Sequence, residues 1–137
     1  MALANLLEHP VIGKETMSAG YAGRMDIKRS NKDLGRVLAL SRLAVADDED
    51  ALSTWPAIWL KALKERFPYE WKELALQAGK GLRDLLASEP DLDQAWHTCA
   101  YGLLTSCQPT PAQLKISGQR LLQDAIEPLE KEAEQSA

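Results

Sequence analysis

Apolar residues recur at three- and four-residue spacing along most of this chain, while the strict alternation that marks strands is missing. Behind Asn31, a residue of the N-cap type, come Leu34, Val37, Leu38, Ser41 and Val45, with Asp33 favourable to the first turn's dipole. That helix is expected to end in the acidic run Asp47-Asp48-Glu49-Asp50. A second begins at Ser53/Thr54 with Pro56 in its first turn, carries Trp55, Ile58, Trp59, Ala62 and Leu63 on one stripe, and stops at Phe67-Pro68. The third has the cleanest pattern: Trp71, Leu74, Ala75, Ala78, Leu82, Leu85 and Leu86 keep to one face, and Gly79 and Gly81 mark a kink or a close helix crossing. Asp91 is expected to cap a fourth helix bearing Leu92, Ala95, Trp96, Cys99, Ala100, Leu103 and Leu104. Thr110 and Pro111 open a fifth, with Leu114, Gly118, Leu121, Leu122, Ala125 and Leu129, whose end Pro128 bends or frays.

These elements define an all-α protein: a compact bundle of about five amphipathic helices over residues 31–134, preceded by a short helix at 3–8 and an irregular basic arm to residue 30, and followed by a polar tail at 135–137. A chain of 137 residues with 45% apolar and 26% charged residues suits one domain with its own core. The first ten residues lack the cationic lead of a signal peptide, and no segment approaches the roughly 20 apolar residues of a membrane span, so no membrane association is expected. Cys99 and Cys107 fall on one helix with their backbones about 12 Å apart, beyond the reach of a disulfide, which points to reduced thiols and a cytoplasmic setting.

Catalytic patterns fail one after another. Neither His9 nor His97 adjoins a Gly-x-Ser-x-Gly elbow, and neither has Glu three residues before it as a di-iron bundle requires. His97, Cys99 and Cys107 do not form the paired turns of a structural zinc site, so no metal is expected. Gly13-Lys14 with Thr16 echoes a phosphate loop, but Glu8 stands where its first glycine belongs. Asp48/Asp50 lies in a solvated run, and Asp91/Asp93 sits at a helix start rather than on a strand. No catalytic residue and no cofactor is assigned.

Charge is informative. The chain has net charge -4, yet residues 1–43 hold seven Lys/Arg against four Asp/Glu. Arg24, Lys28, Arg29, Lys32 and Arg36 gather before and along the Asn31 helix, where unpaired N–H groups and the dipole also favour anions. The stretch KRSNKDLGRVLALSRL resembles the helical part of minimal nucleotidyltransferases of the abortive-infection toxin type, in which a basic residue and Lys-Asp-Leu precede a Leu-rich helix; the matching residues are Arg29, Lys32, Asp33, Leu34, Leu38 and Leu40. The Gly-Ser and Asp-x-Asp elements of their catalytic sheet have no counterpart here. The resemblance therefore implies a helical domain alone, not an enzyme, with Lys32 and Asp33 as the residues carried over.

Two readings follow. In the first, a non-enzymatic helical domain binds a nucleotide, a nucleic-acid backbone or an acidic protein through Arg24, Lys28, Arg29, Lys32 and Arg36. In the second it is a protein-binding adaptor or homodimer that presents Trp55, Trp59, Phe67 and Tyr69. The two part on whether the basic side chains meet open solvent or carboxylates.

Overall fold

The computed structural model describes residues 2–13, 16–18, 26–100, 102, 104 and 109–135, with Thr16–Ser18 and Asp26 described by backbone alone. The fold is all-α. Helices α1 (Ala2–Glu8), α2 (Arg29–Asp47), α3 (Ala51–Arg66), α4 (Trp71–Gln77), α5 (Lys80–Ala87), α6 (Glu89–Ala100), α7 (Pro111–Leu121) and α8 (Glu127–Gln135) surround one core. A short antiparallel pair, β1 (Thr16–Ser18) and β2 (Asp26–Lys28), sets Met17 opposite Ile27 and leads directly into α2. No helix among the described residues is long and apolar enough to cross a membrane.

The central element is α2, which touches α1, α3, α5, α6 and α7. Leu34, Val37 and Leu38 are fully buried, as the helical spacing predicts. Gly35 lets α6 approach closely: a Cβ there would stand 2.9 Å from the Ala95 carbonyl oxygen. The Cys99 thiol fills the same crossing, its Sγ donating to the Gly35 carbonyl at 2.9 Å.

Helix starts differ from expectation where the capping side chain is engaged elsewhere, by a partner on another helix or by a carbonyl three residues back. α2 begins at Arg29, with no side-chain cap, and Asn31 lies fully buried inside its first turn. The Asn31 amide donates instead to Asp91 Oδ1 and Gln94 Oε1 of α6, each at 2.9 Å. α3 begins at Ala51, so Pro56 falls in the second turn, and the Ser53 and Thr54 hydroxyls donate back to Asp50 and Ala51 carbonyls. α6 begins at Glu89, ahead of Asp91. Only α7 starts as read, with Thr110 and Gln113 forming a reciprocal capping box before Pro111.

Both glycines of the third predicted helix act, in different ways. The chain breaks at Ala78–Gly79 into α4 and α5. At Gly81 a Cβ would fall 1.8 Å from the His9 carbonyl oxygen, so this glycine is where the segment after α1 lies against α5. Pro128 does not fray the last helix, which continues past it as α8 to Gln135. A π-helical turn over Leu122–Ile126 joins α7 to α8, the Glu127 N–H reaching back five residues to Leu122 just before proline's missing donor. Leu121, Ala125, Ile126 and Leu129 stay fully buried through that turn.

Candidate functional site

Arg29, Lys32 and Arg36 fall on one side of α2 by their three- and four-residue spacing. Lys28 faces α6, where its ammonium lies 3.0 Å from Asp91 Oδ1. Burial pushes the Asp91 carboxyl up, but hydrogen bonds from Asn31, Lys28 and Ser88 outweigh it and hold the group below its ordinary value. Arg29 stands 3.8 Å from Glu8 and 3.9 Å from Asp33, and Arg36 stands 3.8 Å from the other oxygen of Asp33. Asp33 is nearly buried and also receives the His9 Nε2 at 2.7 Å. This cluster, with the Gly13 N–H on the Ser30 hydroxyl, ties the segment after α1 to the start of α2.

Three of the five cations assigned from sequence thus face carboxylates. Lys32 is half-buried and has no ion-pair partner among the described residues. Arg24 lies outside the described residues, as does Cys107. Among those described, Glu8, His9 and Asp33 form a group whose ligand atoms lie within 4.8 Å of one another. Arg29 and Arg36 already supply positive charge at that point, so a metal ion would enter against two guanidiniums. Asp33, one of the residues carried by the nucleotidyltransferase resemblance, is therefore engaged by three basic side chains of its own chain.

The aromatic residues separate. Trp59 is buried, while Trp55 is half-buried against it with ring centroids 5.5 Å apart. Together they line a groove with Leu40, Leu43 and Ala44. Phe67 and Tyr69 are exposed in the turn between α3 and α4, Tyr69 almost completely at 97%. Trp71 lies under the Lys64 ammonium at 4.7 Å, and the Trp96 N–H donates to the Pro109 carbonyl. His97 is half-buried, edge-on to Trp96.

A second feature lies at the far end of the same basic stretch. Between α2, the start of α3, and α7 runs a cleft of about 430 Å³. Its floor includes Leu43, Val45, Leu52, Leu104 and Ile116, and Ser41, Ser117, Arg42 and Arg120 supply its polar groups. Arg42 donates to the Ser117 hydroxyl at 3.1 Å and meets no carboxylate among the described residues. Arg120 donates to the Glu49 carbonyl at 2.7 Å and to Asp124 at 3.3 Å. Ile116 is 63% exposed and Leu43 41%, so part of the floor is open to water. Sequence reading missed this site because its residues come from helices far apart in the chain. Its one local signal is Ile116, a large apolar residue off the α7 stripe.

Comparison of the chain with protein-family models, with curated proteins and with solved structures finds no match.

Proposed function

We propose that this is a non-enzymatic helical module that binds an anionic ligand with an apolar body, seated in the α2–α7 cleft. The observation that supports the reading is the pairing of Arg42 and Arg120 at an apolar cleft of about 430 Å³. That volume falls in the range of small-ligand pockets, which are mostly apolar with a few placed polar groups. A guanidinium presents a planar fork of donors that suits a carboxylate, and among the described residues Arg42 spends one such donor, on the uncharged Ser117 hydroxyl. The anion is thereby moved from the start of α2, where Lys28, Arg29 and Arg36 face carboxylates, to its C-terminal half.

The experiment is a calorimetric titration of the protein with a series of straight-chain carboxylates and the matching alcohols. Carboxylates are expected to bind and to tighten with chain length by about 0.8 kcal/mol per buried CH2. Arg42→Gln is expected to weaken the carboxylates at least about tenfold, which is about 1.4 kcal/mol, and to leave the alcohols unchanged. Equal binding of acid and alcohol, or no binding of either, refutes the proposal. Binding of single- or double-stranded nucleic acid that weakens with salt and is lost in a Lys28→Ala, Arg29→Ala, Lys32→Ala variant would return the ligand to the start of α2.

A further inference from the structure

The groove beside Trp55 differs from the α2–α7 cleft in the charge at its rim. It lies between the C-terminal half of α2 and α3, with a volume of about 500 Å³. Leu40, Leu43 and Ala44 line it from α2, and Trp55 and Trp59 from α3. The two rings are tilted by 44° with centroids 5.5 Å apart, so they do not cover one another face over face. Leu43 is 41% exposed and Trp55 half-buried, which leaves the groove open to water. Asp47, exposed at the end of α2, lines it too. Among the described lining residues, only Asp47 has a side chain that accepts a hydrogen bond.

Asp47 has the wrong sign for its position. The C-terminus is the negative end of a helix dipole and favours cations, yet α2 ends on this aspartate with no basic residue in its last turn. Asp48, Glu49 and Asp50 follow, all exposed. None of the four carboxylates has an ion-pair partner among the described residues. Arg120 reaches this loop, but it gives its hydrogen bonds to the Glu49 carbonyl and to Asp124. Negative charge therefore gathers without a counter-ion at the edge of an aromatic groove.

We infer that this groove binds a quaternary ammonium cation, its methyl groups against Trp55 and Trp59 and its charge facing Asp47. Aromatic faces attract such a cation through the ring quadrupole, and the carboxylate and the helix end add to that attraction. A primary ammonium suits the groove less well. It brings three N–H donors, and the lining side chains offer one carboxylate to receive them. A quaternary ammonium has no donor to leave unpaired, and its methyl groups pack on apolar walls. The inference stands apart from the ligand proposal: Leu43 borders both sites, but the two ask for opposite charges.

The test is a titration followed by NMR at the tryptophan indole N–H resonances. Tetramethylammonium chloride is expected to shift those of Trp55 and Trp59 saturably and to leave Trp96, bonded to the Pro109 carbonyl, in place. Methylammonium chloride should bind at least about tenfold more weakly, and so should tert-butyl alcohol, a neutral molecule of nearly the same shape. Asp47→Asn, at an exposed position where folding is not at stake, should weaken tetramethylammonium at least about tenfold. It should leave the carboxylate titration of the α2–α7 cleft unchanged. Trp55→Leu, read at Trp59, should weaken tetramethylammonium by a similar factor. A wild type whose indole resonances do not move overturns the inference. So does equal binding of tert-butyl alcohol, which would make the groove merely apolar, or of methylammonium, which would make it merely acidic. Tetramethylammonium binding indifferent to Asp47→Asn overturns it as well.

Discussion

At Gly81 the absence of a side chain decides whether the segment after α1 can lie on the bundle. The space a Cβ would need is occupied by the His9 carbonyl, a backbone atom that cannot swing aside like the end of a side chain. Gly81→Ala is expected to destabilise the protein by about 1–3 kcal/mol, the range for overpacking a well-filled interior, measured as a fall in the urea midpoint. Weakening of the His9–Asp33 contact should accompany it, seen as a shift of the His9 ring resonances. An unchanged midpoint would mean that this approach is looser than the distance implies. The sequence marks Gly81 as a place of close approach, but not what approaches, because His9 is remote in the chain. Asn31 teaches the converse. Its type is right for a cap, and its amide is drawn away by the two acceptors that α6 places within reach. Local preference yields where a buried partner offers two hydrogen bonds in place of one.

Between elements, the α2–α6 crossing holds through a polar clasp at one end and apolar packing along the rest. Asp91 accepts from Asn31 and Lys28 together, and the second acceptor, Gln94, also takes the Lys28 backbone N–H at 3.0 Å. Replacing Asp91 by Ala leaves the buried Asn31 amide with one partner fewer and Lys28 without a counter-charge, a loss of about 1–3 kcal/mol. Because the folded protein holds the Asp91 carboxyl below its ordinary 3.8, the carboxylate contributes stability above that value and loses it as pH falls through the depressed pKa. The difference in denaturant midpoint between wild type and Asp91→Ala should therefore be full at neutral pH and shrink in acid. A difference that persists unchanged in acid would assign the effect to packing alone. Helical periodicity made most elements legible here, since the stripes on α2, α5, α6 and α7 do supply the core, whereas on α3 Trp59 and Leu63 are buried but Ile58, expected on the same stripe, is 60% exposed. Less legible were the β1–β2 pair, too short to establish alternation, and the π turn, where Pro128 signals a disturbance but not its form. The candidate site was less legible still. The excess of cations in the first third of the chain is real, and Asp33 lies on α2 within one turn of Arg29 and Arg36, yet the other counter-ions, Glu8 and Asp91, come from α1 and α6, which only the folded chain brings to α2.

Over the whole molecule, residues from all eight helices join one continuous core, so opening any large part of it should open the rest. Cys99 can report that event. It is 1% exposed, at the crossing of the central helix with α6, and burial pushes its thiol up to about 12 from 9.0. Folding thus favours the protonated thiol. The sign of the linkage is that this contribution is complete below pH 9.0, fades as pH rises, and is gone above about 12. In a Cys107→Ser background, alkylation of the one remaining thiol should be slow in native buffer and accelerate with urea in step with global unfolding, because thiolate forms only where water reaches the sulfur. The same protein should lose stability between pH 9.0 and about 12 more steeply than a Cys99→Ala derivative, which has no thiol there to ionise. The derivative begins less stable, having lost the sulfur's packing, so the two stability curves should converge as pH rises. Parallel curves, or alkylation much faster than unfolding, would show the α2–α6 crossing opening independently of the other helices, and the single cooperative core would have to be divided.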